Sequence, residues 1–366
     1  MSKHKKKKNT GRTVLIVLLA LVIIAVIAAF AIFNKIKNFD ESVDASSTKV
    51  VDFVIPKGAS TQKIGNLLAE AGLIENPTIF KFKAKFNNLD GKFQAGEYEL
   101  SPSMGMVEIM TKIQDGRRET VRFTIKEGLS IKQIAAVLEE QGLCTKADFY
   151  KSLEEDEFDY WFVPLLEEKF EEPTGEVSKK ANRFEGFLYP ETYEVYVGAS
   201  ARNIINKMLG QFDKVFGDDL KAAFEKQDLS LQEILTIASL IEREIVVDEE
   251  RPLCSSVIYN RLNTNATAHK LQIDATVLYC LGNPEGKVRV LYKDLEIDNP
   301  YNTYAYAGLP PGPICCPGLP CIEAALNPAD TDYLYYVVSN KDKSTHKFTK
   351  SYNEHVSNSN DYKNSL

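Results

Sequence analysis

Residues 230–282 read SLQEILTIASLIEREIVVDEERPLCSSVIYNRLNTNATAHKLQIDATVLYCLG, and the beginning of this stretch predicts a helix. Ser230 is a favourable N-cap residue, and Glu233 three positions later completes a capping box. Apolar residues then recur with a period of about 3.6 residues, the spacing of one helix face. This pattern predicts a helix that packs against a core along most of its length.

Two glutamates lie on the apolar side of this predicted helix, whereas Arg243 between them lies on the polar side. At about 100° per residue, Glu242 projects beside Ala238 and Glu244 projects beside Leu240. An apolar environment disfavours the charged form of a carboxyl group, so its pKa rises. Such a carboxyl can keep its proton near neutral pH and act as a general acid. The alternative is a solvated, charged helix end.

The composition indicates a folded protein with an acidic body. The chain has 366 residues, of which 44% are hydrophobic, so it can bury a substantial core in two or three domains. Its net charge is −7, although residues 1–34 contain six basic residues and no acid. An acidic body argues against nucleic acid as a partner. The six cysteines form no CxxC pair and no Walker or dinucleotide-binding motif is present, so neither a metal nor a cofactor is predicted.

The N-terminal region predicts a membrane anchor. Residues 13–33 are uncharged and overwhelmingly apolar, and as a helix they would span roughly 31 Å, enough to cross a bilayer. The alternative is a cleaved signal peptide, but the run is long for one and no A-x-A-like cleavage site follows it. The basic tail 1–12 predicts a cytoplasmic N-terminus. Residues 34–48 are a polar linker, and everything after the single span is expected outside the cytoplasm, at the cell membrane.

An internal repeat follows the linker. Residues 51–73 and 121–143 align at a constant offset of 70, and each predicts a strand, a glycine turn and an amphipathic helix. Between the copies, a strand and a helix beginning near Pro102 are predicted. Small β–α units of this kind resemble the LysM-like modules of cell-wall proteins, so residues 49–146 are predicted to form a LysM-like module region. The alternative is a packing module without a binding role.

The remainder predicts one larger domain, residues 147–356, followed by a disordered polar tail, 357–366. The stretch 182–200 alternates aromatic and acidic residues, a pattern typical either of a sugar-lined groove or of a half-buried strand pair. An amphipathic helix is predicted near 201–216, and a hairpin near 333–356.

Two further motifs carry polar residues in this domain. Gln272 and Asp274 in the sequence LQIDATV are two positions apart, so in a strand they would share one face. The stretch 298–328 is rich in proline and glycine and predicts an irregular loop. Asn302 and Tyr304 would be polar and stacking groups of that loop.

The motifs IASLIERE, VIYNRL, LQIDATVLY, NPYNTY, GLPPGPI and EGFLYPETY together resemble the endolytic murein transglycosylases, the MltG-type or YceG-like family. In that family the glutamate of the I-A-S-x-x-E motif is the catalytic acid, and the matching residue here is Glu242. The resemblance places Gln272, Asp274, Asn302 and Tyr304 as candidate substrate-binding residues. The expected fold is α+β, with a transmembrane helix, LysM-like β–α modules and a mixed α/β catalytic domain.

The resemblance implies cleavage of the β-1,4 bond between N-acetylmuramic acid and N-acetylglucosamine in peptidoglycan. A lytic transglycosylase uses the C6 hydroxyl of the muramic acid to attack C1, which leaves a 1,6-anhydro end and consumes no water. One carboxyl group can then serve first as the acid and afterwards as the base. The implied substrate is the nascent glycan strand, the implied role is to end strand elongation, and peptidoglycan synthases are the implied protein partners.

Two other functions fit the same residues. A non-catalytic scaffold that binds the cell wall would need no general acid. A hydrolase would need a second carboxylate, Glu244 or Asp274, facing Glu242 across a water molecule.

Overall fold

The computed structural model describes residues 40–115, 120–283, 290–339 and 345–364. The predicted basic tail 1–12 and the predicted span 13–33 lie outside the described residues. Within the described ranges, no helix has the length and apolar composition needed to cross a bilayer. The architecture is mixed α+β, as predicted, and the chain divides after Thr120 into two compact units.

The first unit is built from two strands and three helices: β1 (Val51–Ile55), α1 (Thr61–Glu70), α2 (Pro77–Phe86), β2 (Gly96–Leu100) and α3 (Met106–Gln114). The strands β1 and β2 pair antiparallel, with Phe53 opposite Tyr98. Alternate residues of both strands face the helices and form a separate apolar core. The helix predicted near Pro102 begins at Met106, because Gly105 takes the N-cap position.

The second unit contains most of the helices: β3 (Thr120–Thr124), α4 (Ile131–Glu140), α5 (Lys146–Glu155), α6 (Lys179–Asn182), β4 (Thr192–Tyr196), α7 (Ala201–Val215), α8 (Asp218–Phe224), α9 (Leu231–Glu244), α10 (Arg251–Asn263), α11 (Asp274–Cys280), α12 (Leu319–Leu326), β5 (Tyr335–Val338), β6 (His346–Thr349) and α13 (Tyr352–Asn364). The predicted capping box on α9 is confirmed, since the Ser230 hydroxyl accepts from Glu233 N–H and the Glu233 carboxylate accepts from Ser230 N–H. Residues 234–241 of α9 are all buried, so this helix is the centre of the core.

The repeat is confirmed at the level of local structure. Each copy is a strand, a turn and a helix capped by a serine, Ser60 in the first and Ser130 in the second. However, β1 pairs with β2 whereas β3 pairs with β4 of the larger unit. The division between compact units therefore falls inside the region predicted as one module, because the second copy contributes its apolar face to the larger core. The likeness to LysM modules stays a prediction.

Two local expectations differ from the structure, and a third is confirmed. The LQIDATV segment is no strand, because Gln272 adopts φ +55° and α11 begins at Asp274. The tail predicted from 357 is helical through Asn364, and this helix is held where His355 stacks on Tyr335. The hairpin preceding it is confirmed as β5 and β6.

The aromatic stretch 182–200 forms core and strand rather than a sugar-lined groove. Phe184 and Phe187 are fully buried, and Tyr193 on β4 packs its ring against Phe123 of β3. The half-buried strand pair, left open by the sequence, is the arrangement that forms.

Glu185 in this stretch is a buried anchor for α4. Its side-chain oxygens both lie 3.1 Å from the backbone nitrogen of Ile131, the first residue of that helix. The Tyr279 hydroxyl lies 3.3 Å away. Burial raises the pKa of Glu185 to about 8, and the nearby Glu172 charge adds to the rise, while these hydrogen bonds oppose it.

This raised pKa predicts a pH-dependent stability. Between about pH 4.5 and pH 8, the folded state holds a proton at Glu185 that the unfolded state releases, so the free energy of unfolding falls as pH rises. Glu185→Gln removes this titration. Across that range, the Tm of the unmodified protein should fall by on the order of 5 °C more than that of the variant. Calorimetry at several pH values measures the difference, and parallel Tm curves would contradict the buried titration.

Candidate functional site

Glu242 and Glu244 leave the last turn of α9 towards different neighbours. The Glu242 Oε2 atom accepts a hydrogen bond of 3.0 Å from Gly318 N–H, at the N-cap of α12. The thiol of Cys321, in the first turn of α12, also hydrogen-bonds with Glu242. A helix N-terminus presents unpaired N–H groups and positive partial charge, so it stabilises a carboxylate. Glu242 thereby joins α9 to α12.

Glu244 faces α11 and β5 instead. Its Oε2 atom accepts from the Tyr336 hydroxyl at 3.1 Å, and Ala275 N–H in the first turn of α11 also donates to it. Burial raises the pKa of Glu244 to about 7, and the Asp274 carboxylate raises it further, while the hydrogen bonds from Tyr336 and Ala275 act in the opposite direction. Burial also raises the pKa of Tyr336 well above its usual value, so its hydroxyl stays a neutral donor.

Three of the four predicted substrate-binding residues gather on the Glu244 side of α9. Asp274 lies close enough to Glu244 to raise its pKa, and accepts from the Tyr304 hydroxyl at 2.5 Å. Gln272 is exposed two residues before Asp274. The irregular loop that carries Tyr304 is confirmed as well, since no helix or strand lies between Glu296 and Leu319. Asp274 and Tyr304 therefore lie near Glu244, and Gln272 contacts Arg261.

Asn302, the fourth predicted binding residue, supports the loop from within. It is completely buried, and its Nδ2 atom donates to the carbonyls of Leu295 and Ile297 at 2.9 Å each. Its Oδ1 atom accepts from Tyr304 N–H at 3.0 Å. A buried amide saturated by backbone groups fixes the loop around Tyr304, and the substrate contact of Asn302 stays a prediction.

Two functional neighbours were missed by the sequence reasoning. Arg261 in the VIYNRL motif is buried and donates to the Gln272 side-chain oxygen at 2.5 Å. Tyr336 comes from the first strand of the predicted hairpin, in the apolar run YLYYVV. The ring of His346, on the partner strand, lies edge-on to Tyr336, and its Nδ1 atom lies 2.8 Å from Glu250 Oε2. Only the long motif around Arg261 carried a signal that could have identified it.

Among the described residues, no group of three or more histidine, cysteine or acidic side chains could hold a metal ion. The six cysteines are free thiols, and four of them are buried: Cys254, Cys315, Cys316 and Cys321. Burial raises the pKa of each of these four thiols, so they remain protonated and act as small apolar groups.

The sequence of this chain is similar to those of known proteins over most of its length. Residues 53–361 match the model of the YceG-like family. The chain belongs to the YceG-like family. It is 36% identical over 324 residues to the endolytic murein transglycosylase of Bacillus subtilis, covering 87% of this chain and 86% of that protein. The endolytic murein transglycosylase of Streptococcus pneumoniae serotype 2 is 33% identical over 313 residues, which cover 81% of this chain and 55% of that relative.

A solved structure from the same family shares the fold. The crystal structure of a YceG-like protein from Listeria monocytogenes superposes with a TM-score of 0.54 at 37% identity. The match covers 85% of this chain and 99% of that one. The family resemblance predicted from the sequence motifs is therefore confirmed.

The environment of Glu244 predicts two pKa shifts of opposite sign. Tyr336→Phe removes a donor to the charged carboxylate and should raise the pKa of Glu244 by about one unit. Asp274→Asn removes a neighbouring negative charge and should lower it by a similar amount, roughly one unit. NMR titration of carboxyl-labelled glutamate measures both, with Glu244→Gln assigning the resonance. Shifts of the same sign in both variants would contradict this arrangement.

Proposed function

We propose that this YceG-like protein is a lytic transglycosylase that cuts peptidoglycan glycan strands, with Glu244 as its general acid. The names of its relatives support the reaction class. The observation that supports the residue is the position of Glu244, half-buried at the end of α9, with a pKa near 7 and three polar residues next to it. A general acid works best when its pKa lies near the working pH.

The choice of Glu244 revises the assignment suggested by the I-A-S-x-x-E motif. Glu242 accepts from Gly318 N–H at the N-cap of α12, and its role as the acid stays the alternative. Glu244 lies two residues further along and faces the residues predicted to hold the substrate. Its raised pKa gives it a protonated form in a neutral solution, which the first chemical step requires.

The proposed reaction proceeds in two proton transfers. Protonated Glu244 gives its proton to the glycosidic oxygen as the bond from that oxygen to C1 of the muramic acid breaks. The C6 hydroxyl of the same sugar attacks C1, and its proton passes to the Glu244 carboxylate. The carboxyl group ends in its starting protonation state, and the product carries a 1,6-anhydro ring. The nearby Asp274 carboxylate stabilises the positive charge that develops on the sugar.

The cellular setting is part of the same proposal. Residues 13–33 anchor the chain in the cell membrane as a single span, with residues 1–12 in the cytoplasm and the catalytic unit outside it. The LysM-like region lies between the anchor and that unit in the sequence. Tethering near the site of strand synthesis favours nascent strands as substrates, so cleavage would end their elongation beside peptidoglycan synthases.

The two glutamates allow a matched test by mass spectrometry of uncross-linked peptidoglycan strands digested with the full-length protein. The unmodified protein should produce 1,6-anhydro ends. Glu244→Gln should reduce the rate by about 10²- to 10⁴-fold, the usual contribution of a general acid. Glu242→Gln, the same chemical change two residues away, should retain activity within about tenfold, since it loses one charged partner of Gly318 N–H.

Any other outcome would change the assigned residue or the assigned function. The reverse pattern, with only Glu242→Gln inactive, would return the acid role to Glu242. Reducing ends would indicate hydrolysis, with Asp274 as the second carboxylate. Binding of strands without cleavage by any of the three proteins would favour the non-catalytic scaffold.

A further inference from the structure

Arg261 holds a buried positive charge against neutral oxygens. The residue is 7% exposed. Its guanidinium donates from Nε to Lys270 O at 3.0 Å, from Nη1 to Leu334 O at 3.1 Å, and from Nη2 to Gln272 Oε1 at 2.5 Å. These acceptors join the loop before α11 to the segment that leads into β5. The third one also fixes the side chain of Gln272.

The contact with Arg261 determines which way the Gln272 amide faces. A guanidinium has only donors, so the atom of Gln272 that meets it must be the oxygen. The amide nitrogen, with its two hydrogens, then points away from Arg261. Within the described parts of the chain, no hydrogen bond to this nitrogen is formed, and the Gln272 side chain is exposed. The arrangement presents a donor to solvent beside Asp274.

The backbone holds the amide in place at its other end. Gln272 has φ +55°, a left-handed conformation that is uncommon outside glycine and that occurs often at functional positions. Its N–H donates to Thr303 O at 3.2 Å, and the N–H of Ile273 donates to Thr303 Oγ1 at 3.0 Å. The exposed side chain is therefore fixed both through its oxygen and through its backbone.

We infer that Gln272 donates its amide N–H to the acetamido carbonyl of a substrate sugar, with Arg261 as the positioning residue, so that the site selects N-acetylated glycan. This inference rests on the proposed function. An acetamido group offers a carbonyl acceptor to the outward amide. A de-N-acetylated sugar offers only an ammonium group, which has no acceptor and carries the same charge as Arg261. Asp274, the nearest acid, is oriented by the Tyr304 hydroxyl.

The test compares uncross-linked strands with the same strands after chemical de-N-acetylation, using re-acetylated strands as the control for the treatment. The full-length protein should cleave acetylated strands with a kcat/KM roughly 10- to 100-fold higher than de-N-acetylated ones. Gln272→Glu pairs a carboxylate with Arg261 and leaves no outward donor, so the preference should fall to about one. The loss on acetylated strands should be mainly a higher KM, since the contact is already made in the ground state.

Two further variants separate positioning from a general loss of structure. Gln62→Glu makes the same chemical change at a half-buried position of α1 in the first unit and should leave the preference unchanged. Arg261→Lys keeps the charge but loses the planar fork, so the preference should also fall. Adding Gln272→Glu to Arg261→Lys should change it little further, because both act on the same hydrogen bond.

The outcomes distinguish this inference from the proposed function. Equal cleavage of both strands by the unmodified protein, with Glu244→Gln inactive, would keep the transglycosylase and overturn the role of Gln272. A preference that persists in Gln272→Glu would overturn it as well. Failure of the unmodified protein to cleave either strand would instead count against the proposed function.

Discussion

The second unit depends on how two negative charges in the last turn of α9 are stabilised. Residues 234–241 are buried, and the helix then ends with Glu242 and Glu244 at its negative pole, where carboxylates are least favourable. Each carboxylate is stabilised by the start of another helix. Glu242 accepts the N–H of Gly318 at the N-cap of α12, and Glu244 accepts the N–H of Ala275 in the first turn of α11. The two carboxylates therefore connect the end of α9 to the beginnings of α11 and α12.

The two helix starts are not equivalent, because the start of α11 carries a second carboxylate. The first turn of α11 already contains the Asp274 carboxylate, so Glu244 lies near a like charge. Burial adds to this repulsion, and the proton of Glu244 is retained to about pH 7. The hydroxyls of Tyr336 and Tyr304 partly offset the two charges. Glu244, whose pKa is about 7, thus lies near the Asp274 carboxylate, which the Tyr304 hydroxyl orients.

The second repeat copy becomes part of this unit through its turn. Gly128 N–H donates to Cys316 O at 2.9 Å, and Cys316 N–H donates to Leu129 O at 2.8 Å, so the turn pairs with the loop that leads into α12. Arg243 donates to Gly128 O at 3.2 Å. Gly128 has φ +77°, which explains why a glycine is required at the turn. The first copy has the same turn but no such loop to pair with in its own unit, and it forms a separate core.

The features predicted correctly are those that depend on residues close together in the sequence. The capping box at Ser230 and the amphipathic face of α9 were both readable, because they depend on residues within a few positions. The different neighbours of Glu242 and Glu244 were not readable, since they come from segments distant in sequence. Their neighbours, Gly318 and Tyr336, are more than 70 residues away in sequence. The spacing of the aromatic residues at 184 and 187 likewise fits a groove as well as a core.

The placement of Gln272 shows why spacing alone misled and why the residues were nevertheless relevant. Two residues two positions apart share a face only in a strand, whereas here the left-handed Gln272 turns the chain immediately before α11 begins. That turn leaves the Gln272 amide and the Asp274 carboxylate both exposed, although the segment forms no sheet. Extended structure would have carried the chain past Glu244. The left-handed residue therefore places the Gln272 amide immediately before the first turn of α11, which contains Asp274.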